Sequence, residues 1–302
     1  MPNQLVSDDI INAIDKLQER QQKKYNRNRE EPEEAHCIPI ARIIRPEWHY
    51  SEISREFENI DINWYNLEKF GLIRNIAENL DNVNIEVYIG SEFEMSSAAW
   101  YQPYHYLPRT AWGIHIRYDS WLRIAAKLYH NCHSLISKGV DSVKAAFLYL
   151  FNHALFHYIT ENASSMLEIA SDNPNLYTNY QFNIYSKLFN SSECLEETLA
   201  NSYLFEKAEQ CHIDKQYLKD ELSNQAKGYK QFVNYLGSNF LNGSRRLLSQ
   251  IQKGLPNPSA DEPLEQIMDI SNPMDYAHGH RVPIWLRLKA KPVHEFKLLE
   301  KI

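Results

Sequence analysis

Two histidines, His153 and His157, lie inside the nearly unbroken apolar run "AAFLYLFNHALFHYIT", residues 145–160. Burying two imidazoles in such a segment costs free energy unless something binds them. On a helix, residues four apart share a face, with Cβ atoms about 5–6 Å apart. That spacing lets both rings reach one Zn²⁺ at about 2.0–2.1 Å. With 12 histidines in the chain, HxxxH alone is weak, and a pair of core histidines bonded to carbonyls or carboxylates is the competing explanation. A second segment changes the balance. "SSECLEETLANSYLFEKA", residues 191–208, has helical apolar spacing through Leu195, Leu199 and Leu204, with Ser191 or Ser192 as a cap. Glu196 and Glu197 lie on it, and Asn201 follows Glu197 by one turn. Adjacent residues diverge by about 100° around a helix. One glutamate is therefore expected to face the histidines and the other to face solvent.

"HALFH" followed by "ETLAN" resembles the paired motifs of the gluzincin zinc metallopeptidases, HExxH on one helix and E-x-x-[AS]-[DN] on a later one. The resemblance covers about 50 residues strictly. It implies a zinc ion held by His153, His157 and Glu197, with Asn201 behind a ligand histidine. Glu196, Glu161 and Glu168 are the alternative third ligands, and Glu161 is also a candidate to hold a ligand from behind. The chain departs from the family at Ala154, where the family has the glutamate that takes the proton from the attacking water. Three explanations compete: an engineered Glu→Ala change made to silence the protein, which is favoured; a natural pseudo-enzyme; or another base, Glu161 or Glu168. The resemblance further implies a downstream oxyanion-stabilising group, for which His278, His280 and Tyr276 are the candidates. Arg281 is a candidate for a substrate carboxylate. Tyr177 and Tyr180 line the cleft or belong to the core. The "GIHIR" strand, in this family, is an edge that holds a peptide by β-augmentation.

Other clusters carry less. In "YHNCHS", residues 129–134, His130 and His133 are helix neighbours but Cys132 points elsewhere, so a second zinc site is not expected. The net charge of −7 argues against a nucleic-acid footprint. No segment reaches the ~18–20 apolar residues of a membrane span. The N-terminus lacks a signal-peptide layout, and the four cysteines show no CxxC pairing. A cytoplasmic protein with reduced thiols is the expectation.

The elements that must position these residues follow from periodicity. Strands are expected at 37–44, 83–90, 111–120 and 280–290, and helices at 63–80 and from about Ser120 to Ser137. Gly139 is expected to break the chain, with Asp141 or Ser142 capping the helix that carries the histidines. The pattern is then mostly helical to about residue 252, with a loop at 254–263. Apolar residues make up 43 % of the chain, enough for a sizeable core. The expected fold class is α+β: a zincin-like metallopeptidase domain with a mostly helical C-terminal half and an N-terminal helical arm. The arm spans 1–35 and is a candidate contact for a protein partner. The domain spans 36–302, with a strand-containing part at 36–137 and a mainly helical part at 138–302. The expected function is zinc-dependent hydrolysis of peptide bonds in a protein or peptide substrate, inactive as written because of Ala154. The alternative is a non-catalytic, zinc-stabilised pseudo-peptidase that works as an interaction module.

Overall fold

The computed structural model describes residues 37–42, 72–82, 98–105, 112–132, 138–208, 212–257 and 282–287. They form a helix-rich structure with one small sheet, compatible with an α+β class. The strands are β1 (Cys37–Arg42), β2 (Ala99–Gln102), β3 (Gly113–Arg117) and β4 (Pro283–Arg287), in the spatial order β1-β4-β3-β2. β4 is antiparallel to β1 and parallel to β3, and β3 is antiparallel to β2. The sheet is thus not confined to residues 36–137: a strand from the far end of the chain completes it between β1 and β3.

The "GIHIR" segment is β3, and it is an interior strand rather than the expected edge. It is paired on both sides, which among the described residues leaves β2 at the border of the sheet. Ile114 and Ile116 are fully buried, and so is His115. The reason is a ladder across three strands. In register, His115 stacks on Trp100 of β2 at 5.2 Å and on Trp285 of β4 at 6.2 Å. Both faces of β3 are therefore covered, and alternation gave no exposed side.

The helices are α1 (Leu72–Asn79), α2 (Tyr118–Asn131), α3 (Lys138–Ser171), α4 (Leu176–Tyr180), α5 (Leu195–Glu206), α6 (Lys215–Ser223) and α7 (Ser238–Lys253). A π turn, Gln181–Tyr185, and a last helical turn, Ser186–Leu188, extend α4. A 3₁₀ segment, Tyr229–Tyr235, precedes α7. α3 is the spine of the structure. It starts at Lys138, so Gly139 lies inside its first turn instead of breaking the chain. A Cβ on Gly139 would meet Ala77 of α1 at an ordinary 3.6 Å. Ser142 is buried and caps nothing.

α3 is apolar on most sides because neighbours cover it on most sides. Phe147, Leu150, Phe151, Phe156 and Ile159 are all at most 2 % exposed. Trp121 of α2 crosses its start, with the indole N–H donating to the Val143 carbonyl at 2.8 Å. Buried hydroxyls on α3 are satisfied by the preceding turn: Thr160 donates to the Phe156 carbonyl, and Ser165 to that of Glu161. No helix among the described residues is long and apolar enough to cross a membrane. The expected strand at 83–90, the start of the 63–80 helix and the 1–35 arm lie outside the described residues.

α5 is held from behind by α7, and the contact depends on a missing side chain. A Cβ on Gly243 of α7 would stand 2.7 Å from Leu199 Cδ2 and 2.6 Å from the Tyr235 ring. Leu199 is fully buried on the helix that carries Glu197. Gly243→Ala therefore has to shift the Leu199 methyl and the Tyr235 ring. Urea denaturation is expected to show a loss of about 1–3 kcal/mol, the usual range for overpacking.

Candidate metal centre

α3 and α5 bring the predicted residues together. His153 Nε2 and His157 Nε2 lie 3.4 Å apart. Glu197 Oε2 is 3.2 Å from the first and 3.7 Å from the second. His153 and Glu197 have side chains 1 % and 0 % exposed, whereas the His157 side chain is 12 % exposed, so the cluster opens on the His157 side.

Both rings are oriented from behind. His153 Nδ1 faces Asn201 Oδ1 at 2.9 Å. The Asn201 amide nitrogen donates to the Tyr229 carbonyl at 3.1 Å, which can only accept, so its oxygen must face the histidine. His153 therefore carries its proton on Nδ1, and the Nε2 lone pair points into the cluster. His157 Nδ1 donates to Glu196 Oε1 at 2.7 Å, with the same consequence. Glu197 Oε1 accepts from the Tyr185 hydroxyl, while Oε2 is buried and has no donor among the described residues.

Three acceptor lone pairs thus converge inside a buried space, and only a cation or a proton reconciles them. Their separations fit a metal. A tetrahedral ion with bonds of about 2.0–2.1 Å holds its ligand atoms about 3.3–3.4 Å apart. Among the described residues, His153, His157 and Glu197 are the one group of three or more His, Cys, Asp and Glu side chains that meets this kind of spacing. Electrostatics follow the geometry. Burial opposes a charge on Glu197, but the two histidines and the Tyr185 hydroxyl outweigh it and hold its pKa down to about 2. Burial lowers the pKa of His153. At His157 burial also works downward, yet the charge of Glu197 and the bond to Glu196 raise the pKa overall. A proton on His157 is the alternative to a metal, so the two compete.

Glu196 corrects the sequence expectation. It is 1 % exposed rather than facing solvent, because the Nδ1 side of His157 lies where solvent was expected. Ser191 and Ser192 do not cap α5. The N-cap is Cys194, without a side-chain bond, and Ser191 Oγ instead accepts from the Glu193 N–H. Glu196 and Glu197 fall in the first helical turn, where the helix dipole favours carboxylates. Tyr185 and Tyr229 were not anticipated. Tyr229 stacks on His153 at 5.8 Å. Tyr177 and Tyr180 are core, at 1 % and 2 % exposure.

Glu161 and Glu168 lie outside the His153, His157 and Glu197 group, and Glu161 is bonded to His105 rather than standing behind a ligand histidine as expected. They clasp His105, a residue with no sequence signal of its own. His105 Nδ1 lies 2.5 Å from Glu161 Oε1, and Nε2 lies 2.9 Å from Glu168 Oε2. Glu161 also accepts from the backbone N–H groups of Tyr104 and His105 and from the Tyr101 hydroxyl. Glu168 accepts from the Tyr177 N–H at 2.9 Å. A histidine bonded to a carboxylate at each nitrogen must be an imidazolium. Burial disfavours that charge, but Glu161 and then Glu168 overcome it and raise the pKa to about 10.

His278, His280, Tyr276, Arg281 and His133 lie outside the described residues. Ala154 is fully buried on α3 between the two histidines. No family model matches the chain, and neither a curated protein nor a solved structure matches it.

Two outcomes follow from these clusters. His105→Gln leaves two buried carboxylates without their cation, and near neutral pH it is expected to cost about 3–5 kcal/mol. The His105 pKa is raised from 6.5 to about 10, so its contribution is complete below about pH 6.5 and is lost as pH rises through about 10. The gap in unfolding free energy between wild type and His105→Gln should therefore narrow across that window in denaturant titrations. Asn201→Leu frees the His153 ring and should weaken Zn²⁺ binding about 10–100-fold, read by competition with a chromophoric chelator.

Proposed function

We propose that this chain is a zincin-like zinc peptidase scaffold, with His153, His157 and Glu197 as the metal ligands and with the general base missing at Ala154. The observation that carries the proposal is the convergence of two Nε2 lone pairs and an otherwise unpartnered Glu197 Oε2 at 3.2–3.7 Å. A Zn²⁺ ion bound there would polarise a substrate carbonyl and acidify a water molecule. The protein's own contribution is orientation. Asn201 and Glu196 hold the ring tautomers, Tyr185 holds Glu197, and the partly exposed side of His157 is the approach for substrate. Ala154 offers no proton acceptor. The carboxylates that follow Ala154 on α3, Glu161 and Glu168, are committed to His105. The same observation favours a second reading, a non-catalytic metal-stabilised interaction protein.

A paired experiment separates them. Purified protein is expected to hold one equivalent of Zn²⁺, and His153→Ala is expected to lose it. Ala154→Glu supplies a carboxylate to the site, and general acid–base groups are typically worth about 10²–10⁴ in rate. That variant should cleave members of a degenerate peptide library, followed by mass spectrometry, at sites the parent leaves intact. Retained zinc with no cleavage by either protein would favour the non-catalytic reading. Absence of zinc binding would remove both.

A further inference from the structure

Resting on the metal-centre reading, we infer that Tyr185 is a positioning residue that restricts Glu197 to a single ligating oxygen and so sets the coordination number of the centre. A carboxylate beside a metal can bind through one oxygen or two. Here the two oxygens of Glu197 are distinguished by their surroundings. Oε1 accepts the Tyr185 hydroxyl, and Oε2 is directed at both histidine Nε2 atoms. Rotating Glu197 to present both oxygens would turn Oε1 from the phenol and weaken a buried hydrogen bond.

Tyr185 is itself well held. It is the last residue of the π turn Gln181–Tyr185, an irregularity that redirects side chains relative to a continuous α-helix. Its ring is 8 % exposed and packs against Phe189 at 5.7 Å and Tyr180 at 6.4 Å. It also meets the His157 ring edge-on at 6.4 Å. The phenol therefore approaches Glu197 from a fixed direction. Three protein donors with one open position follow from a one-oxygen glutamate, whereas a two-oxygen glutamate would fill that position or force a higher coordination number.

Cobalt(II) substitution tests this without any activity assay, because the intensity of its visible absorption falls as coordination rises above four. The full-length protein is stripped of metal and titrated with Co²⁺ alone. The expected result is an intense four-coordinate spectrum for wild type. For Tyr185→Phe, an absorption several-fold weaker and a Kd for Co²⁺ about 10–100-fold higher are expected. Tyrosine and phenylalanine differ by one hydroxyl, so a role limited to packing would leave both readouts in place. Identical spectra and affinities would overturn the inference while leaving the metal site intact. Failure of wild type to bind Co²⁺ would instead overturn the metal site itself. If the Phe variant does not fold, as judged by circular dichroism of the metal-free protein, 3,5-difluorotyrosine at 185 carries the test. It keeps the shape but makes the hydroxyl a stronger donor, which draws charge from Glu197. The Co²⁺ spectrum is expected to stay intense and four-coordinate, and a several-fold weaker spectrum with the stronger donor in place would overturn the inference.

Discussion

Three lone pairs that face one another in a buried space, on His153, His157 and Glu197, are the constraint around which the rest is arranged. Left alone they repel. They are tolerable only if a positive charge sits among them and if each ring is prevented from turning away. The surroundings meet the second condition with one partner for each group: Asn201 for His153, Glu196 for His157 and Tyr185 for Glu197. The packing that holds α5 in place, including the side-chain-free contact at Gly243, serves the same geometry.

α3 carries two polar stations along one stripe of an otherwise apolar helix. His153 and His157 occupy the first, and Glu161 and Glu168 the second. The two stations solve opposite charge problems. At the first, the helix supplies imidazoles whose Nε2 atoms face each other, and α5 supplies the carboxylates. At the second, the helix supplies carboxylates, and the segment after β2 supplies the imidazolium of His105. The second station ties β2, through Tyr101 and His105, to the helix that bears His153 and His157. Its ions stabilise the connection by being complete. Removing either sign would expose the other to an apolar interior.

Much of the first station was legible in the amino-acid sequence, because a spacing of four on a helix carries geometric information. His153 with His157 and Glu197 with Asn201 could be placed on faces without a structure. Glu196 could not. The 100° step correctly turned it away from Glu197's direction, but nothing local showed that His157 Nδ1 would be waiting there. His105 and Tyr185 were invisible for a related reason: each meets its partner across a tertiary contact, with no periodic neighbour to flag it. In retrospect, two glutamates seven apart on a buried helix required a cation. Several elements were readable, but the short strand β2 was not foreseen, and the insertion of β4 between β1 and β3 depends on a pairing of distant segments that periodicity does not encode. Gly139 misled because a glycine in the first turn of a helix costs little where the helix is otherwise so well buried.

On the proposed reading, Ala154 would separate binding from catalysis. Every group that would hold and orient a metal is present, and the proton acceptor is not. X-ray absorption at the zinc edge tests the ligand set, rather than turnover, most directly. Protein loaded with one equivalent of Zn²⁺ is predicted to show a four-coordinate shell at about 2.0–2.1 Å, with the outer-shell scattering of two imidazoles and no sulfur. A shell containing sulfur at about 2.3 Å, a shell of oxygens without imidazole scattering, or no stoichiometric zinc at all would contradict the account.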